Sequence, residues 1–172
     1  MKPVKSKTRR AKRPAKLARR RSGVHGYGVF ARDFIAKGER VIEYVGERIS
    51  KAEGLRREDL RLARLAAGGD GCVYVFEVTK RHDIDGDVAW NPARHINHSC
   101  APNCESDIIR GRVWILALRD IAPGEELNYD YGFDYAESWH HPCGCGAGDC
   151  ATYIVTSTQC WRVRKKLASK RE

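Results

Sequence analysis

The sequence predicts a mainly β domain of many short strands, with one clear helix and a metal-stapled loop behind them. Three observations predict it. Short runs of β-branched and aromatic residues recur from residue 24 to residue 131, bounded by glycine, proline or polar turns. A single segment, 51–66, carries both a helix cap and a helical spacing of leucines. Cys143, Cys145 and Cys150 then crowd a stretch with much glycine and little apolar content. Such a stretch needs an external staple to hold a shape, and a metal supplies one.

In chain order, residues 1–21 hold 11 Lys or Arg, no acid and no apolar periodicity, so disorder is expected there. Residues 24–31 (VHGYGVFA) read as a turn feeding a strand, and 40–45 (RVIEYV) as a second strand closed by Gly46. Ser50 can cap a helix over 51–66, with Glu53 completing a capping box. Leu55, Leu62, Leu65 and Ala66 fall on one face of that helix, and Gly68 and Gly69 end it. Residues 72–78 (CVYVFEV) are strand-like, 83–86 (DIDG) read as a turn, and 94–104 (RHINHSCAPNC) as a polar loop. Residues 112–118 (RVWILAL) form a buried strand. Pro123 and Gly124 turn the chain into a last strand, 126–131 (ELNYDY).

A chain of 172 residues accommodates one domain with tails and can fold without disulfides. Of its net charge of +10, residues 1–21 carry +11 and residues 161–172 carry +5, which leaves the body at −6. Basic tails can hold a phosphate backbone in a salt-dependent way, or merely keep the chain soluble. An acidic body suits a cationic partner such as a lysine-rich peptide. No run approaches the ~20 apolar residues of a membrane span, and no apolar N-terminal run resembles a secretory signal. Seven cysteines, three of them within 143–150, read as metal binding in a reducing compartment rather than a disulfide framework.

The cysteine spacing is C-x-C-x4-C, and the glycines between let the backbone wrap an ion. Three thiolates can face one tetrahedral zinc, but a closed structural site needs four ligands. The fourth candidates are Cys72, Cys100, Cys104, Cys160, His140 and His141. The loop 94–104 puts two histidines, two asparagines and two cysteines into eleven residues, enough polar groups to line a ligand pocket. Tyr44, Tyr74, Tyr129 and Tyr131 lie in strand-like segments. Each taken alone reads as a half-buried core residue, but as a set they can form an aromatic wall for a cationic amine or sulfonium. In a regular strand Tyr129 and Tyr131 share a face. The pair Gly26-Tyr27-Gly28 lacks a G-x-G-x-x-G continuation, which excludes a dinucleotide-binding Rossmann fingerprint.

Taken in order, these segments resemble the SET domain of protein-lysine methyltransferases. HGYGVFA (25–31) resembles its opening GxG motif and YVG (44–46) its next short motif. RHINHSCAPNC (94–104) is very close to the R-F-x-N-H-S-C-x-P-N-C signature, GEELNYDYGF (124–133) resembles G-E-E-L-x-Y-D-Y, and CGCGAGDC (143–150) resembles the post-SET cysteine motif. The compact form is similar both to bacterial SET proteins and to the cores of eukaryotic enzymes. The resemblance implies small twisted sheets, with the NHSC and ELNYDY stretches packed together as a pseudoknot. It divides the chain into a basic tail (1–21), a SET domain (22–135), a post-SET zinc-binding segment (136–155) and a basic C-terminal tail (156–172). It implies S-adenosylmethionine as cofactor, contacted by His25, Gly26, Tyr27, Gly28, Tyr74, Asn97, His98 and Tyr131. It makes Cys100 the fourth zinc ligand beside Cys143, Cys145 and Cys150, and gives Tyr131, Tyr129 and Tyr44 the catalytic channel.

The implied reaction is methylation of a lysine in a basic protein, a histone or histone-like DNA-binding protein. A tyrosine at 129 tends in this family to limit the product to monomethyl-lysine. The implied setting is intracellular: nucleoid or cytoplasm in a bacterium, nucleus or chromosome in a eukaryote. The chain departs from the family pattern at His95 (usually Phe or Tyr), Asn128 (usually Thr) and Ala151-Thr152 (commonly Arg-Gly). Residues 51–70 stand where a variable insert shapes peptide choice. Two rival readings are a catalytically silent SET module and a zinc-stapled nucleic-acid-binding protein driven by its basic tails.

Overall fold

The computed structural model describes residues 15–68, 72 and 74–170. The expectations for residues 1–14, for Gly69 as a helix stop, for Val73 in a strand and for the last two residues lie outside that description. The described chain is mainly β, as expected, and divides into two compact units. One comprises the described parts of Glu43–Arg94 and Ile108–Trp114, the other those of Pro14–Ile42, His95–Asp107 and Ile115–Glu172.

In the larger unit, β1 (Leu17–Arg21) pairs antiparallel along its whole length with β2 (Tyr27–Ala31). This corrects the expectation of disorder through residue 21. Leu17 and Ala18 are buried, while the Arg19 and Arg21 guanidinium groups each lie 4.6 Å from the Tyr27 ring and Arg20 covers Phe30. One buried leucine contributes about 1.5–3 kcal/mol, and arginine stems cover apolar surface while their heads stay wet. Composition alone therefore misread a strand whose charges face out.

β2 pairs antiparallel with β10 (Glu126–Tyr129). β10 in turn runs parallel to β7 (Asn97–His98) and to β8 (Cys104–Ile109). The sheet continues through β9 (Arg112–Ala117) to β3 (Arg40–Tyr44). β10 ends at Tyr129, so Tyr131 lies just past the strand expected to contain it. The NHSC and ELNYDY stretches thus meet as neighbouring strands. Leu127, Ile96, Ile115, Ile35 and Ile121 are fully buried. After the last strand in chain order come α2 (Tyr135–Ser138) and α3 (Cys160–Ala168), the latter inside the segment read as a basic tail. Val163 of α3, Val155 and Ala151 form a small core with Tyr135, Trp139 and Tyr153 against it.

The smaller unit holds a three-stranded antiparallel sheet. Its order is β4 (Glu47–Ser50), β6 (His82–Asp85), β5 (Val75–Glu77). β6 replaces the turn expected at 83–86, and the reversal falls just before it, where Thr79 Oγ1 accepts the N–H groups of Arg81 and His82. β5 starts after Tyr74, so that tyrosine is not in the strand expected over 72–78.

α1 (Lys51–Ala66) starts as expected, with Ser50 accepting the Glu53 N–H; the Glu53 carboxylate turns instead to Arg56 and Arg57. Its apolar face does not turn inward. Leu55 and Leu65 are exposed, and the buried residues are Gly54 and Arg61. Arg61 Nη2 donates to both oxygens of Asp85 at 2.8 and 3.0 Å, Arg57 reaches Asp85 at 2.7 Å, and Lys51 reaches Asp83 at 2.7 Å. Asp83 and Asp85 are the inward residues of β6, so the helix is held by ion pairs and not by leucines. Arg61 Nη1 is buried without a hydrogen-bond partner among the described residues.

Candidate active site and cysteine centre

The pairing of β7 with β10 sets Asn97 opposite Asn128 and His98 opposite Tyr129. Both Asn97 and His98 are buried, as a polar residue tolerates only when its hydrogen bonds are met. The Asn97 amide nitrogen faces three acceptors: the His25 carbonyl at 3.3 Å, the Tyr27 carbonyl at 3.1 Å and Glu126 Oε1 at 2.8 Å. The glycine pair expected to hold a cofactor is therefore tied to the NHSC segment. A Cβ on Gly28 would run into the Glu126 carboxylate, which would have to leave its place against Asn97.

Tyr131 sits in the same neighbourhood. Its N–H donates to His98 Nδ1 at 3.3 Å, and its hydroxyl donates to the Ile96 carbonyl at 2.9 Å. Its ring lies 4.9 Å from that of Tyr129 and 5.4 Å from the His98 ring. With Nδ1 accepting, the His98 proton belongs on Nε2, which lies 3.6 Å from Cys100 Sγ. Burial pushes the His98 pKa down, against the Asp130 carboxylate, so the ring is neutral near pH 7. Behind His98 and Tyr131, Asp130 accepts the N–H groups of Gly132 and Ser157, and Phe133 stacks on His141 at 4.3 Å.

Tyr44 and Tyr74 belong to the smaller unit. The Tyr44 hydroxyl donates to the Tyr74 carbonyl at 3.0 Å, and the same carbonyl accepts the Gly86 N–H at 2.8 Å. The Tyr44 ring is buried, 4.6 Å from Phe76, and fills the space a side chain on Gly86 would need.

The cysteine centre gathers Cys100, Cys143, Cys145 and Cys150, whose sulfur atoms all lie within 4.8 Å of one another. Cys100 Sγ is 3.8 Å from Cys143 Sγ and 3.9 Å from Cys150 Sγ. Zinc–sulfur bonds of about 2.3 Å in a tetrahedron put sulfur atoms about 3.8 Å apart, so the donor set fits that ion. Backbone N–H groups point at the sulfurs: Cys100 N to Cys145, Ala151 N to Cys100 and Thr152 N to Cys150. Burial pushes Cys100 up to about 12 and Cys143 higher still. Burial raises Cys145 too, but the N–H groups of Cys100 and Ala147 and the neighbouring thiols outweigh it and bring it down to about 7. Four thiolates this close repel one another, and a divalent cation removes that cost.

Of the other fourth-ligand candidates, Cys104 is buried in β8, Cys160 donates to the Val155 and Thr156 carbonyls and His141 stacks on Phe133; among the described residues none of these, nor Cys72 or His140, joins the group. The spacing singled out neither Ser22 nor Glu126. An acid in a polar-flanked strand ordinarily faces water, and its partner hydroxyl lies 104 residues away in sequence.

The family model described as SET domain matches residues 26–132. A Saccharomyces cerevisiae protein named histone-lysine N-methyltransferase, H3 lysine-4 specific, is 42% identical over 149 residues, covering 83% of this chain and 13% of its own length. A Neurospora crassa protein of the same name is 39% identical over 152 residues, 85% of this chain and 11% of its own. The Homo sapiens protein named histone-lysine N-methyltransferase 2D is 37% identical over 139 residues, 78% of this chain and 2% of its own. The chain therefore spans 2% to 13% of the length of these relatives. Among the described residues, no helix is long and apolar enough to cross a membrane.

Proposed function

The chain belongs to the SET-domain family, and from that premise we propose that it transfers a methyl group from S-adenosylmethionine to the side-chain amine of a histone lysine. The observation that carries this reading is the pairing of β7 with β10, which brings Asn97 and His98 beside Tyr129 and Tyr131. Asn97, His98, Tyr131 and the backbone of His25, Gly26, Tyr27 and Gly28 are the groups of this neighbourhood that fit the cofactor. With its amide nitrogen committed to three acceptors, Asn97 has Oδ1 to offer a cofactor donor. S-adenosylmethionine supplies an electrophilic methyl on a sulfonium.

The chain's own work is to orient and desolvate the lysine amine. A free lysine, with a pKa of about 10.4, is an ammonium in water and cannot attack; loss of water around the amine and the positive charge of the sulfonium both disfavour that form. Tyr131 is an orienting group rather than a general base. Its hydroxyl donates to the Ile96 carbonyl, which fixes the phenol in place beside Tyr129 and His98, and a phenol near pKa ~10 stays protonated at neutral pH. Tyr129, buried beside it, limits the space for further methyl groups, and the product is monomethyl-lysine. Cys100, Cys143, Cys145 and Cys150 hold a structural zinc that staples the segment behind the site.

The names of the relatives make histone H3 lysine-4 the first site to examine, and chromatin the setting. Exposed Arg19, Arg20 and Arg21 on β1, and Arg162, Arg164, Lys165 and Lys166 on α3, support contact with the phosphate backbone of DNA around such a substrate. The test is incubation with methyl-labelled cofactor and purified histones, followed by mapping of the labelled residue. Label on a histone lysine supports the proposal. Label on no lysine of any histone, with the cofactor bound, refutes it and favours a silent module.

A further inference from the structure

Glu126 occupies a fitted position between the two segments assigned above to the cofactor. Its Oε1 accepts the Asn97 amide at 2.8 Å, the shortest and the only charged of that amide's three contacts. The Ser22 hydroxyl donates to the same carboxylate, 2.7 Å from Oε1 and 2.9 Å from Oε2. Ser22 Oγ also accepts the Val24 N–H at 2.9 Å, which ties the start of the 22–28 turn to the clamp. A side chain on Gly28 would displace the carboxylate. β10 is paired with β2 at this point, Glu126 opposite Phe30, so the backbone bearing the carboxylate is fixed as well.

An asparagine amide can present either end to its surroundings after a half-turn. Turned the wrong way, Asn97 would aim Oδ1 at two carbonyls and a carboxylate, all of them acceptors. The carboxylate makes that orientation the most costly, because its charge both strengthens the correct hydrogen bond and repels the wrong one. Neither Glu126 nor Ser22 offers a group that the reaction consumes; their effect on it passes through Asn97 and the turn.

We propose that Glu126, held by Ser22, is a positioning residue that locks Asn97 with Oδ1 presented to the cofactor and fixes the 25–28 backbone beside it. This rests on the reading of Asn97 and the glycine turn as the cofactor site. The experiment is calorimetric titration of the full chain with S-adenosylmethionine, paired with steady-state kinetics on histone H3. Glu126→Gln keeps the shape and removes the charge. Its cofactor affinity is expected to fall about tenfold, with KM for the histone unchanged and the melting temperature within a few degrees of wild type. Ser22→Ala is expected to weaken the cofactor severalfold. In an Asn97→Ala background Glu126→Gln should add little, because the two act as one unit.

Wild-type affinity in both single variants overturns the inference, as does full additivity of Glu126→Gln with Asn97→Ala. If Glu126→Gln does not fold, Ser22→Ala alone and combined with Asn97→Ala decides by the same criteria. A wild-type chain that binds no cofactor overturns the underlying reading, and this inference with it; normal wild-type binding with unaffected variants overturns the inference alone.

Discussion

Thr152 holds φ at 72°, a left-handed conformation that a β-branched residue adopts only under strain. Its neighbours impose it: the Thr152 N–H points at Cys150 Sγ and its carbonyl accepts the Cys143 N–H at 2.9 Å. The family commonly has glycine at this position, which takes such a φ at no steric cost. Thr152→Gly is therefore expected to stabilise the chain by about 1 kcal/mol, read as a melting temperature a few degrees higher; a lower one would show that packing of the threonine outweighs its strain. Tyr131→Phe removes the hydroxyl bound to Ile96 and leaves the ring against His98 and Tyr129. It should cut kcat about 10²-fold with little change in melting temperature, measured by steady-state methyl transfer and thermal denaturation. The grouping of Cys143, Cys145 and Cys150 was legible from their spacing, whereas Asn97, Tyr131 and Cys100 were singled out only by the family resemblance, because strand pairing and chain folding bring them together from positions far apart in sequence. The Asn128 departure is absorbed locally: its side chain accepts the Asn103 N–H while Asn103 Oδ1 accepts the Asn128 N–H.

α1 and β6 form a pair whose inner face is ionic, which is why the helix forms where expected yet leaves its leucine face outside, and why β6 stands where a turn was expected. Hydrophobic patterning assumes that apolar residues turn inward. Here Asp83 and Asp85 alternate inward on β6, and Arg61 takes the place a leucine would fill. Asp85→Asn leaves the buried Arg61 with only the more distant Asp87 carboxylate at 3.8 Å and should destabilise the chain by about 3 kcal/mol, whereas Leu55→Lys on the exposed face should stay within about 0.5 kcal/mol. Denaturant titration of the two variants checks both. Burial pushes the Asp85 pKa up, but Arg57, the Asp87 N–H and Arg61 outweigh it, and the carboxyl is held below its ordinary value. An unfolded aspartate then binds protons more readily than the folded one. The pair's contribution is present in full above about pH 4 and is lost as pH falls from there through the folded value. Stability of the wild type should fall over that window, and more steeply than that of Asp85→Asn. β1 was missed for a related reason: three consecutive arginines mask a strand whose buried anchors are only Leu17 and Ala18.

At the scale of the whole molecule, the segment after residue 133 has a core of only a few side chains around Val155 and Val163. Its ties to the larger sheet run through Cys100, the Asp130–Ser157 bond and the Phe133–Thr156 bond. Zinc binding there is folding free energy. Elemental analysis should find one zinc per chain, and removing it with a chelator should raise hydrogen exchange in residues 139–163 while β1, β2 and β10 stay protected. Uniform exchange before and after chelation would count against a structural ion. The SET resemblance covered this architecture because its motifs lie in order along the chain, but α3 was hidden inside charge that composition assigned to a tail. The most direct measurement of the central claim is the intact mass of histone H3 after incubation with the chain and S-adenosylmethionine. The account predicts a gain of one methyl group on a lysine, abolished or greatly slowed by Tyr131→Phe; an unchanged mass with wild type, or equal gains with wild type and Tyr131→Phe, would contradict it.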